Sequence, residues 1–84
     1  MSAYFFNQGG KLAIVKKTDI KVEFGSKIKA LRELHNVTQT DLAAKIDVDV
    51  RTIRRIESGK YNPTLEIIMS LASAFKTTIP DLFK

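Results

Sequence analysis

Three arginines set the chemistry of this chain. Arg51, Arg54 and Arg55 fall within five residues, interleaved with the inward-spaced Ile53 and Ile56 of the segment Val50 to Ser58. A short helix there would bury the isoleucines and turn the arginines outward. Such a row attracts phosphate, and an arginine fork can also pair two parallel N–H groups with a guanine edge. The segment before it, Gln39 to Ile46, has Leu42, Ala43 and Ile46 at helical spacing. Two short amphipathic helices, with the small Ala43 at the crossing and arginines outward on the second, are the parts of a helix-turn-helix that reads double-stranded DNA.

The remaining residue types offer little else. Eighty-four residues make one small domain. There is no cysteine, which excludes disulfides and thiolate metal sites. The single histidine, His35, cannot form a histidine cluster and reads as a cation near a helix C-terminus. Ser26, in Gly25-Ser26-Lys27 inside a helical pattern, is not a phosphate loop. No catalytic set, metal site or cofactor motif is found, so an enzyme is not expected. The formal net charge of +5 favours a polyanionic partner, nucleic acid before membrane. No apolar run approaches the roughly 18 residues of a membrane span, and the N-terminus lacks the order of a secretory signal, so a cytoplasmic protein is expected.

These helices need a frame. Residues 1–18 read as an N-terminal arm. Tyr4 to Phe6 and Leu12 to Val15 lean towards strands, separated by a break at Asn7-Gln8-Gly9-Gly10. A lone strand must pair as a hairpin, pair with another chain, or stay flexible. Residues 19–84 read as the domain. Thr18 or Asp19 would cap a long first helix with Ile20, Phe24, Ile28, Leu31 and Leu34 inward. Gly25 inside it implies close approach of another helix, and Asn36 is its stop. Thr38 to Asp41 fits a capping box for the second helix, and Asp49 caps the third. Gly59 suits its left-handed terminus. Thr64 opens a fourth helix with Leu65, Ile68, Leu71, Ala72 and Phe75 inward. Thr78 and Pro80 open a short fifth, which closes the core with Ile79, Leu82 and Phe83. The fold expected is an all-α, five-helix orthogonal bundle.

From Phe24 to Phe83 the chain resembles the phage repressor and Cro-like helix-turn-helix family. The matching residues include Leu31-Arg32, Val37-Thr38-Gln39, Leu42-Ala43, Arg55-Ile56-Glu57 with Gly59, Asn62-Pro63 and Pro80-Asp81-Leu82-Phe83. The resemblance implies a lambda-repressor-like domain that binds double-stranded DNA as a homodimer and regulates transcription, as a repressor. It implies base contacts from Val50, Arg51 and Arg55. It implies phosphate contacts from Thr38, Gln39, Arg54, Ser58, Lys60, Tyr61 and Asn62, and a structural ion pair between Arg32 and Glu57. Alternatives on the same fold are an antitoxin or restriction-modification controller with a protein partner, and a protein-interaction module. Two departures stand out. Asp47 occupies the turn where the family usually has glycine, a position that usually needs positive φ. Asp41, Asp47 and Asp49 put negative charge around the face that meets phosphate, which either sharpens specificity or weakens affinity. The dimer surface is expected at Ile79–Phe83 or at Leu12–Val15.

Overall fold

The computed structural model describes residues 2–6 and 12–84, with side chains from Ile20 onward. Two strands, β1 (Ser2–Phe6) and β2 (Leu12–Lys16), pair antiparallel from Phe6 opposite Leu12 to Ser2 opposite Lys16. The expected break at residues 7–10 lies outside the described residues. Five helices follow: α1 (Lys17–Leu34), α2 (Gln39–Lys45), α3 (Val50–Glu57), α4 (Leu65–Ala74) and α5 (Ile79–Leu82). The sequence predicts a Thr18 or Asp19 cap at the start of α1. Instead the backbone passes from β2 straight into helix at Lys17. Ile46 and Ser58, expected as the last helical residues of α2 and α3, are their C-caps.

The starts of α2 to α5 share one mechanism. An oxygen from Thr38, Asp49, Thr64 or Thr78 accepts a backbone N–H of the first turn and satisfies a donor the helix cannot. At Thr38 the bond is reciprocal, because the Asp41 carboxylate accepts the Thr38 N–H at 3.3 Å. The ends of α1 to α4 are equally uniform. Each chain reversal puts one residue at positive φ: Asn36 (56°), Asp47 (58°), Gly59 (75°) and Lys76 (53°). Around each, two backbone N–H groups reach back to orphan carbonyls in the Schellman pattern. At the helix-turn-helix, Asp47 N–H donates to the Ala44 carbonyl at 3.3 Å and Val48 N–H to the Ala43 carbonyl at 2.9 Å. Asp47 thus adopts the conformation expected of the family's glycine.

The core joins all five helices. Phe24 and Ile28 of α1, Leu42 and Ala43 of α2, Ile53 and Ile56 of α3, Leu71 and Ala72 of α4, and Leu82 of α5 are buried, with Phe75 at the end of α4. Val37 and Val48, in the two connections, pack against it. Two residues expected inward are not. Leu34 is 76% exposed, because six residues from Ile28 turn it about 120° around the helix. Leu65 is 66% exposed, as the first residue of α4, beyond the span where Leu71 and Phe75 meet the core. Phe83 closes the base differently from simple burial. Its ring stacks on Phe24 with centroids 5.0 Å apart, yet it remains 51% exposed. Ile53 and Ile56 in this core hold α3 against α1 and α2, its arginine side outward.

Candidate nucleic-acid interface

Helix α3 carries the charged face. Ile53 and Ile56 are buried, while Arg51, Arg54 and Arg55 are exposed. This division follows from helical spacing, since residues 53 and 56 share one side and 51, 54 and 55 lie off it. The orientation of α3 is set by an ion pair. Arg32 of α1 donates from Nε to Glu57 Oε2 at 2.7 Å and from Nη2 to Oε1 at 3.1 Å. Its Nη1 donates to the Val37 carbonyl at 3.0 Å, which ties the α1–α2 connection into the same group. The side chains are 14% and 5% exposed. The Glu57 hydrogen bond raises the Arg32 pKa above its ordinary value.

Glu57 also accepts from Gln39 Nε2 at 3.0 Å. One carboxylate therefore joins α1, the start of α2 and the end of α3. Gln39, expected to hold phosphate, has its amide oriented by this bond, with one Nε2 hydrogen used. Thr38 lies beside it, exposed, its oxygen accepting from Asp41 N–H at 3.0 Å, which leaves the hydroxyl proton to donate outward. Lys29, which lies in no motif, shares a shallow open cleft with Arg32, Thr38 and Gln39. The missed signal was its spacing of three residues from Arg32, which puts the two on adjacent turns of α1.

The arginines of α3 are held unequally. Arg51 donates from Nε to Asp49 Oδ1 and from Nη2 to Oδ2, both at 3.2 Å, while Asp49 Oδ1 also accepts the Arg51 backbone N–H at 2.8 Å. The Arg51 side-chain bond holds the Asp49 carboxyl below the usual carboxylate range and, in return, raises Arg51. Arg55 stands over the ring of Tyr61, 5.7 Å from its centroid, a cation–π contact. Tyr61 is half-buried and packs against the core, so it is a prop for Arg55 as well as a loop residue. Arg54, Lys60 and Asn62 are exposed. The Ser58 hydroxyl donates to the Arg55 carbonyl at 3.0 Å, a bond it would give up to serve phosphate. Val50 is half-buried against the core and presents only part of its side chain.

The expected residues thus lie on three neighbouring elements: the start of α2, the outer side of α3, and the loop that follows it. Of the three aspartates, Asp41 is occupied by the capping box and Asp49 by Arg51, while Asp47 sits in the turn. No group of three or more acidic, histidine or cysteine residues suited to a metal occurs among the described residues. Among them, no helix is long and apolar enough to cross a membrane.

This arrangement matches known proteins. The profile of the helix-turn-helix family HTH_3 covers residues 28–82. This chain belongs to that family. It is a DNA-binding transcription regulator of the Cro/C1 type. An uncharacterized HTH-type transcriptional regulator of Methanocaldococcus jannaschii is 47% identical over 58 residues, covering 69% of this chain and 88% of its own. The control protein C.MunI of a Mycoplasma species is 38% identical over 66 residues, covering 77% and 89%. Among solved structures, the restriction-modification controller protein C.AhdI of Aeromonas hydrophila superposes with a TM-score of 0.71 at 31% identity. That match covers 74% of this regulator and 94% of C.AhdI. The helix-turn-helix expected from Gln39 to Ser58 is therefore placed within a bundle of the same kind.

Proposed function

We propose that this regulator reads its operator as a homodimer, with α3 of each protomer in the major groove. The observation that carries the reading is the outward row of Arg51, Arg54 and Arg55 on a helix whose other side is locked by Arg32 and Glu57. In this reading Arg51 and Arg55 contact base edges, with Val50 beside a thymine methyl. Arg54, Gln39, Thr38 and residues 58 and 60–62 contact phosphate and fix the register. Two protomers then address half-sites about 34 Å apart, one turn of the duplex. Phe83, half-exposed at the end of the chain beside α5, supports the Ile79–Phe83 end as the dimer surface.

The test is selection of bound sequences from random duplex DNA, followed by titration of variants against the selected operator. Arg51→Ala and Arg55→Ala each cost about 1–3 kcal/mol and relax the preference at one base pair. Lys60→Ala weakens all sequences alike and lowers the salt slope. Sedimentation of the complex gives two protomers per operator. Arginine variants that bind as tightly as the wild type would end the assignment of α3 to the groove.

A second reading makes the regulator the controller of a restriction-modification system. It is favoured by the likeness to C.MunI and C.AhdI, each matched over most of its own length. A restriction endonuclease and methyltransferase encoded beside this chain, with the selected operator upstream of them, would establish it. Their absence would leave the general reading in place.

A further inference from the structure

We propose that Asp49 is a positioning residue for base recognition, which holds the Arg51 guanidinium side-on so that its free end-on edge is presented to a guanine. The inference rests on the reading of α3 as the groove helix and adds a residue to it.

Of the three arginines on α3, Arg51 alone forms a salt bridge among the described residues. The pairing is bidentate and uses one particular edge. Nε and Nη2 face the two carboxylate oxygens at 3.2 Å each. A guanidinium has five N–H groups, so this leaves both Nη1 hydrogens and the second Nη2 hydrogen. The Nη1–Nη2 edge carries two parallel donors, the pattern that matches guanine O6 and N7. Among the described residues no acceptor occupies that edge.

An exposed ion pair is usually too loose to position anything, and these side chains are 81% and 53% exposed. Here the carboxylate does not depend on the arginine for its place. Asp49 is the N-cap of α3, and its Oδ1 is anchored by the Arg51 backbone N–H at 2.8 Å. The helix start therefore fixes the carboxylate, and the carboxylate fixes the guanidinium. An arginine already ordered before binding loses less rotamer freedom when it meets a base. The negative charge beside it also makes Arg51 a poor partner for phosphate, so the same contact steers it away from the backbone.

The experiment compares the wild type with Asp49→Asn and Arg51→Ala on the selected operator and on operators changed at single base pairs. Asparagine caps a helix about as well as aspartate, so α3 is kept while the bidentate acceptor is lost. Thermal melting verifies this, and Asp49→Ser provides a second capping variant. Arg51→Ala lowers discrimination at one G·C pair by about five- to a hundredfold. Asp49→Asn lowers discrimination at that same pair by roughly two- to tenfold, the range for ordering one long side chain. Its affinity for random duplex stays equal or rises, because a charge that repels phosphate is gone. Replacing the guanine by 7-deazaguanine, which lacks the N7 acceptor, costs the wild type more than Asp49→Asn. Wild-type discrimination in Asp49→Asn, with Arg51→Ala impaired, overturns the positioning role alone. So does a loss at a pair that Arg51→Ala leaves untouched, which would make Asp49 itself the reader. If Arg51→Ala discriminates as the wild type does, the reading of Arg51 on α3 falls, and this inference with it.

Discussion

Gly25 of α1 lies directly against the backbone carbonyl of Ile56 in α3. A Cβ built on Gly25 would overlap that oxygen and stand 3.1 Å from the Glu57 carbonyl carbon. The contact lets α1 and α3 cross at backbone distance, one residue before Glu57 meets Arg32.

Elsewhere in a helix, Gly25→Ala would stabilise by up to about 1 kcal/mol through propensity. Here the obstacle is backbone, which cannot rotate aside as a side chain would. The crossing must open, at a cost of about 3 kcal/mol, near the upper end for overpacking. The shift also moves α3, so operator affinity falls beyond the loss of folded protein. Urea denaturation with an operator titration checks both. A Gly25→Ala protein at least as stable as the wild type would show that the crossing relaxes freely.

Removing Glu57 leaves the Arg32 guanidinium with only the Val37 carbonyl, in a site where its side chain is 14% exposed. Glu57→Ala is expected to cost about 3 kcal/mol, the lower end for orphaning a buried ion-pair partner, since some solvent still reaches the arginine. Arg32→Met with Glu57→Leu removes both charges and should recover part of that loss. The double mutant separates the two effects that a single variant confounds. A loss below about 1 kcal/mol for Glu57→Ala would place the pair in the solvent-screened class.

Much of this frame was legible in the sequence because its signals are local. The caps at Thr38, Asp49, Thr64 and Thr78 depend on a residue and its neighbours within three positions. The inward stripe of α3 follows from spacing alone, as does the exposure of its arginines. Gly25 signalled a close approach, and the resemblance supplied Arg32 and Glu57, 25 residues apart. What escaped was the end of each stripe, where periodicity continues but the neighbouring helix does not. Leu34 and Leu65 have the right hydrophobicity and nothing to cover them. The start of α1 escaped because a strand feeds it directly at Lys17. Side chains with two possible partners were also hidden. Asp49 reads as a cap, which it is, but both its oxygens also hold the Arg51 side chain. Gln39 read as a phosphate ligand, while its amide already donates to Glu57.

The helix ends offer a ranked comparison. Lys76 and Asp47 both sit at positive φ, 53° and 58°. An L residue in this region costs about 1–2 kcal/mol, with aspartate better tolerated than lysine. Glycine removes that cost but has more freedom to lose on folding. Lys76→Gly is therefore expected to stabilise by about 0.5–1 kcal/mol, and Asp47→Gly by less. Gly59→Ala should go the other way, because φ is 75° there and a Cβ would meet Val22 Cγ2 at 2.8 Å. Denaturant midpoints with unchanged slopes test the order. Lys76→Gly less stable than the wild type would contradict it.

Acid should loosen the two helix starts, of α3 and α5, whose carboxylates are held by cations. The Arg51 side-chain bond, then the Arg51 backbone N–H, keeps Asp49 below its ordinary value of 3.8. Asp81 is likewise below 3.8, held first by a Lys84 bond at 2.9 Å and then by Thr78. Near and below that pH the unfolded chain binds more protons than the folded one, so stability rises with pH in this window. The contribution of each group is complete above the ordinary value and is lost as pH falls through the lower, folded one. Both pairs are open to solvent, so the effect is modest and shrinks with salt. Melting temperatures recorded from about pH 5 down to about pH 2 should fall less steeply for Asp49→Asn and Asp81→Asn than for the wild type. The difference should narrow at high ionic strength. Parallel curves for all three proteins would show that neither carboxylate is perturbed by folding. A steeper fall in Asp49→Asn would reverse the sign of the linkage and remove Arg51 as its cause.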